Sequence, residues 1–371
     1  MKTRVVVTGV GAVTPVGNNM KATWANLLEG KSSINKIDLF DTSHYDTKIA
    51  AQVKNFRLDE EIEKKVKKYT HRSSRFGIQA FCEAVQDAAL SDSDHHSEEI
   101  GLAMGCGVVY PNLDQFHELF QNFLSVQVKE NIYISPNEVM KRNLTTGISL
   151  MAELINAKGP MISLTTACAS SAQAIGEAFR RIQCNEASVM ITGGYDSMIN
   201  YIDLIGFDQD GFVIGEGAAV VVLENLESAI KRRARIYGEI VGYSSTINAY
   251  WLTDAPSDGE ACITAMKNAM NDGGLTPERI DYIAVHGADA SYNDFSETNA
   301  IKAVLGEYSH HVSIGSTKSM IGNLTSAAGA INFITTLLAM EDNKSIRAAL
   351  SNAFAFGGIH TCIAVKEFFN R

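Results

Sequence analysis

The chain of 371 residues has only six prolines and no low-complexity tract, so nothing in it reads as a flexible linker. It also lacks paired cysteines. Cys82, Cys106, Cys168, Cys184, Cys262 and Cys362 show no CxxC or similar spacing, which excludes a disulfide frame or a zinc site of recognisable pattern. They read as reduced thiols of a cytoplasmic protein. Basic residues are outnumbered: 32 Lys and Arg face 42 Asp and Glu, for a net charge of -10. That balance argues against nucleic acid, whose phosphates need basic patches. An acidic carrier protein could still dock on a local basic patch. No apolar run is long enough for a membrane helix, and the start MKTRVVVTGVGAVTPVGN has no charged segment followed by a long apolar one. The glycines of GVGAVTPVG lack the third member and the later acidic residue of a dinucleotide loop.

What the chain does have is apolar mass, 46% hydrophobic against 20% charged residues. Arg4 to Gly9 reads as a buried strand closed by Gly9-Val10-Gly11. Residues 20 to 30 and 71 to 90 carry helical spacing, and 31 to 58 read as irregular. Residues 111 to 131 space Phe116, Leu119, Phe120, Phe123 and Leu124 as one face of an amphipathic helix. Beyond them, strands and helices alternate to the end, from the run around Val189 to that around Val365. Such alternation predicts parallel sheets with helices on their faces. The order also repeats loosely, predicting two similar halves.

One stretch stands out, SLTTACASSAQAIGEAFRRI at 163 to 182. A β-rich run stops at Ala167-Cys168-Ala169, and then Ala172, Ile175, Ala178, Phe179 and Ile182 take up helical spacing. Most free thiols are buried and inert. Cys168 differs in sitting where a strand passes into a helix, between small residues that admit a substrate. The unpaired N–H groups of a helix N-terminus favour thiolate, so the position predicts a lowered thiol pKa. Two other polar features follow buried strands: His286, suited to acid–base work near neutrality, and Lys318 to Asn323. Ligands gather at the carboxyl ends of strands in α/β sheets. His310 and His311 read as surface residues.

RVVVTGVGAVTPVGN, TTACASSAQAIGEA, GFVIGEGAAVVVLE, HGADASYND, STKSMIGNLTSAAGA and NAFAFGG occur in that order. Together, from about Arg4 to Lys366, they resemble the β-ketoacyl-acyl-carrier-protein synthases, nearest the elongating branch and the polyketide ketosynthases. The resemblance implies a thiolase-like α/β fold of two duplicated halves in five layers, α/β/α/β/α, with an N-terminal half over 1–230 and a C-terminal half over 231–371. It implies a homodimer or a ketosynthase heterodimer, an acyl carrier protein as partner, and no cofactor beyond the phosphopantetheine arm that the carrier delivers.

By the same resemblance Cys168 takes the acyl chain as a thioester, and His286 assists decarboxylation of malonyl-carrier protein. Lys318 matches the lysine of KSxxGH, and Glu297 the acidic residue that orders the region. Phe356 matches the gating phenylalanine, whose N–H shares an oxyanion hole with that of Cys168. Val108 matches a position lining the acyl pocket.

The chain departs from the pattern in four ways. Asn323 stands in place of the second histidine; its amide can donate to a thioester oxygen but cannot exchange a proton. Ala288 and Ala290 replace hydroxyl residues. Ala355 replaces a glycine at the gate, which stiffens a hinge. Two loops, near Gly206 and after Asn343, are short. The implied reaction is decarboxylative Claisen condensation. A chain-length-factor-like partner subunit and a non-elongating acyltransferase are the alternatives.

Overall fold

The computed structural model describes residues 2–90, 95–109, 117, 120, 121, 124, 135–206, 212–250, 256–288 and 291–369. Phe116, Leu119, Phe123 and Ala290 lie outside them, as does most of 111–131 and of the short stretch after Gly206. Ten strands form one sheet. Five belong to the first part of the chain: β1 (Val5–Val13), β4 (Ile100–Cys106), β5 (Met161–Leu164), β6 (Val189–Ser197) and β7 (Glu216–Asn225). Five belong to the second: β8 (Gly238–Ile247), β9 (Tyr282–Ala284), β10 (Ser313–Gly315), β11 (Ala348–Ala355) and β12 (Ile359–Lys366). The remaining pair, β2 (Ile34–Lys36) and β3 (Ile49–Ala51), makes a separate antiparallel ribbon within the stretch expected to be irregular.

The order across the sheet is β10-β9-β11-β12-β8-β1-β7-β6-β4-β5. Outward from the β8–β1 seam, both sides repeat one pattern. Two antiparallel pairings come first (β1–β7 and β7–β6; β8–β12 and β12–β11), then two parallel ones (β6–β4 and β4–β5; β11–β9 and β9–β10). The sheet is therefore mixed, which corrects the expectation of parallel sheets. A strand covered on both faces reads as a continuous apolar run whichever way its neighbour points. The shortness of the β11–β12 link was the contrary signal, since three residues cannot make a parallel crossover.

Five long helices among the described residues complete the layers: α1 (Arg72–Asp87), α2 (Ser170–Gln183), α3 (Glu260–Gly273), α4 (Ala328–Asp342) and the helix Ser291–Leu305, which packs beside α3. Alternate residues of one strand separate the cores. Ala219, Val221 and Leu223 of β7 face a central core with Ile175 and Phe179 of α2 and Phe333 and Leu337 of α4. Ala218, Val220 and Val222 face an outer core with Phe76 and Phe81 of α1. In the second half Ile363 and Val365 of β12 look inward, while Cys362 and Ala364 look out onto Ala265 and Met266 of α3. Three cores between five layers result, with α2 and α4 in the middle. No helix among the described residues is long and apolar enough to cross a membrane.

Strand β1 runs on to Val13, through the glycines expected to end it. A Cβ on Gly9 would lie 2.4 Å from the Ala84 carbonyl oxygen, and one on Gly11 2.2 Å from that of Ala80. Those glycines serve to bring α1 down on the strand rather than to turn the chain.

Candidate active site

Strand β5 ends at Leu164, and the chain enters α2 through a single 3₁₀ turn, Ala167–Ala169. Ala167 takes the left-handed conformation at φ 47°. Such a backbone costs about 1–2 kcal/mol for a residue with a Cβ. It is held by hydrogen bonds: Thr166 N–H donates to Ser170 Oγ (2.8 Å), and Ser170 Oγ–H donates to the Ala167 carbonyl (2.6 Å). Cys168 at the corner is 4% exposed.

Asn323 reaches the same point from the second half. Its Nδ2 lies 3.6 Å from Cys168 Sγ. The orientation of the amide follows from its other end, because Oδ1 accepts the Thr325 backbone N–H at 2.9 Å. A flipped amide would set two donors against each other there. The backbone is pinned as well: Asn323 N–H donates to the Val213 carbonyl and Gly215 N–H to the Asn323 carbonyl, each at 2.8 Å.

His286 follows β9, and Glu297 fixes its backbone. The two carboxylate oxygens accept the N–H groups of His286 and Gly287, both at 3.0 Å, while Asn352 Nδ2 donates to Oε1 at 2.9 Å. Lys318 Nζ donates to the His286 carbonyl. His286 is 5% exposed and packs 5.9 Å from the Phe354 ring, centroid to centroid. Its Nδ1 has no partner among the described residues.

Burial governs the electrostatics. It pushes the Cys168 thiol up, against the pull of Lys318 and the Asn323 amide. This reverses the expected lowering, because loss of water outweighs the favourable turn. Burial, with Lys318 and His360 nearby, holds His286 well below the ordinary imidazole value, so the ring is neutral. Burial also raises Glu297 and lowers Lys318, although Cys168, Glu297 and Asp294 draw Lys318 back.

A cavity of about 30 Å³ adjoins Cys168. His286, Phe354 and His360 form part of its wall, and Ala355, Phe356 and Phe212 lie toward its mouth. The Phe212 and Phe356 rings stand 6.4 Å apart. Phe356 sits on the β11–β12 turn, where Gly357 (φ 85°) and Gly358 (φ 76°) are both left-handed, a turn that requires glycine. The structure thus brings Cys168, His286, Asn323, Lys318, Glu297, Ala355 and Phe356 together. Val108 lies apart, 47% exposed and outside the cavity wall. Sequence reasoning missed Phe354 and His360, whose only signal was an aromatic and a histidine beside a Gly-Gly turn.

A cysteine on a tight corner, a neutral imidazole and an oriented amide meet at one cavity on a thiolase-like ketosynthase fold. The chain belongs to the beta-ketoacyl synthase family. Residues 2–209 match the beta-ketoacyl synthase N-terminal domain and residues 237–349 the C-terminal domain. It is 34% identical to 3-oxoacyl-[acyl-carrier-protein] synthase 2 of Staphylococcus aureus (strain N315), over 412 aligned positions covering 98% of each chain. The alignment exceeds the 371 residues of this chain, so that relative carries segments this one does not. Among solved structures it resembles a chain of a type II polyketide synthase acyl-carrier protein in complex with its ketosynthase bound to the hexaketide. That match has 27% identity and a TM-score of 0.86, and it covers all of both chains. The ishigamide ketosynthase/chain length factor shares the fold at TM-score 0.86 and 24% identity, again over all of both chains.

Proposed function

We propose that this chain is an active condensing enzyme, joining an acyl thioester on Cys168 to malonyl-carrier protein. The observation that carries the reading is the amide of Asn323, aimed at Cys168 Sγ with its orientation fixed by Thr325. In the first step the Cys168 thiol gives up its proton as its sulfur attacks the acyl thioester, the carbon–sulfur bond to the carrier breaks, and the departing carrier sulfur takes up that proton and leaves as the thiol. The malonyl group then loses carbon dioxide. The electron pair of the broken carbon–carbon bond becomes an enolate, whose oxygen takes hydrogen bonds from Asn323 Nδ2–H and the His286 ring. The carbanion attacks the acyl carbonyl, a carbon–carbon bond forms, and the thiolate of Cys168 departs.

In this reading Lys318 and Glu297 are positioning residues, one holding the His286 carbonyl and the other its N–H. The N–H groups of Cys168 and Phe356 form the oxyanion hole. A cavity of about 30 Å³ has room for a water molecule but not for a thioester arm. The arm therefore enters by displacing Phe356, and the acyl chain extends toward Val108. An acyl carrier protein delivers both substrates, and the chain acts as a homodimer or as one subunit of a ketosynthase heterodimer. The two halves are assigned to 1–230 and 231–371.

A second reading, acyl transfer without condensation, is favoured by Asn323 itself, which cannot carry a proton. The partner-subunit reading, in the manner of a chain-length factor, is weakened by the retained cysteine. Intact-mass measurement after incubation with acyl-carrier protein tests the first step, with one acyl adduct on Cys168 expected. Its absence rejects both catalytic readings. Release of carbon dioxide from malonyl-carrier protein tests the second step; an adduct without release leaves acyl transfer alone.

A further inference from the structure

His360 lies in the wall of the Cys168 cavity and has no part in the scheme above. It is 2% exposed. The ring stacks on its cross-strand neighbour Phe354, centroids 4.8 Å apart, which fixes its plane. Nδ1 lies 3.3 Å from the Gly358 carbonyl. A carbonyl can only accept, so Nδ1 carries the proton and Nε2 presents a lone pair. Nε2 is buried with no partner among the described residues. A buried lone pair without a donor is costly unless something that enters the cavity supplies one.

We propose that His360 determines specificity: its Nε2 is a fixed acceptor that selects a thioester substrate bearing an N–H or O–H donor. This rests on the acyl-transfer reading of Cys168. Burial also lowers the imidazole to about 4, so the ring stays an acceptor at neutral pH. The donor has two possible sources, an amide N–H on the thioester arm or a hydroxyl on the acyl chain. A site built around such a bond discriminates steeply against analogues without the donor, because its own group is then left unpaired.

The test follows Cys168 acylation rates by intact mass for two substrate pairs. One compares a 3-hydroxyacyl-carrier thioester with its deoxy analogue. The other compares acyl thioesters of N-acetylcysteamine with those of its O-acetyl counterpart, which lacks the N–H. The unaltered protein is expected to favour the donor-bearing member of one pair by about tenfold or more, and that pair names the source. His360→Phe keeps the stacked ring and abolishes the preference, slowing only the donor-bearing member; His360→Gln keeps an acceptor and retains it. Equal rates within both pairs for the unaltered protein overturn the proposal without recourse to any variant. So does a His360→Phe protein slowed equally on both members, which marks a structural role. No acylation of Cys168 at all fails the underlying reading, whereas acylation without preference fails only this inference.

Discussion

The two halves share a topology but surround its equivalent corners differently. In the first, the chain passes from β5 to α2 through the turn Ala167–Ala169; in the second it passes from β10 to α4 through Thr325–Ala327. Both turns begin with a left-handed residue that is not glycine, Ala167 at φ 47° and Thr325 at φ 46°. Cys168 and Ser326 therefore occupy equivalent corners, both buried. Their partners differ. Cys168 meets the cavity and Asn323, whereas the Ser326 N–H and the Thr325 hydroxyl donate to buried Asp196 at 3.1 and 2.6 Å. One corner opens on the cavity and the other closes the joint between the halves. The backbone device is common to both, and the side chains around it decide what it does.

The sharpest way to break this comparison is to exchange the corners. Cys168→Ala is expected to abolish the acyl adduct and lower turnover by about three orders of magnitude or more. Ser326→Cys is expected to gain no adduct, since that corner faces Asp196 rather than the cavity; an adduct at 326 by intact mass would show the corners to be interchangeable. Asn323→Leu removes the donor aimed at the sulfur and is expected to cost about a hundredfold in thioester transfer. Asn323→His can preserve both contacts, with Nδ1 accepting the Thr325 N–H and Nε2–H facing Sγ. It is expected to raise carbon dioxide release, and a fall would show a site tuned to the amide.

A smaller effect tests whether the halves are packed alike. A Cβ on Gly11 of β1 would meet the Ala80 carbonyl oxygen at 2.2 Å, and one on Gly242 of β8 would meet that of Ala269 at 2.0 Å. Gly11→Val and Gly242→Val should each cost about 2–3 kcal/mol in denaturant unfolding, and a large inequality would mean that one outer helix yields more easily.

The smallest contrast is in pH. His360 falls from 6.5 to about 4 on folding, so between those values the unfolded chain binds a proton that the folded one refuses, and stability is lost as pH falls. Asp203, on the first-half connection between β6 and β7, rises from 3.8 to about 6 through burial. There the folded chain holds the extra proton, and stability is lost as pH rises through that window. Profiles of Tm against pH should show a shallower acid-side fall in His360→Phe, with the remainder due to His286, and a shallower opposite slope in Asp203→Asn, with the remainder due to Glu297.

Much of this was legible in the chain itself. Cys168 and His286 each follow a strand that the sequence announces, and the six ordered motifs carried the fold. Asn323 instead lies beyond a short helix, Lys318–Ile321, after β10, which is an exposed edge strand and not the buried one expected. Strand direction was not legible, because burial on both faces removes the alternation that marks an antiparallel sheet. Gly9 and Gly11 misled for a related reason: a glycine that admits a helix looks like one that turns the chain. The behaviour of the thiol was misjudged because depth of burial depends on β11, β12 and Asn323, all remote in sequence from residue 168. His360 escaped notice since its neighbours across the sheet, not along the chain, place it at the cavity.

The narrow cavity beside Cys168 bears on timing as well as on chemistry. In the reading proposed above, an acyl chain on that sulfur would lie behind a displaced and reclosed Phe356, away from the bulk water that would cleave it, until the next carrier arrived. By the same reading, opening of one aromatic hairpin tip would set the pace of every exchange, and small thiol-alkylating reagents should react with Cys168 at the rate of that opening rather than at the rate of collision.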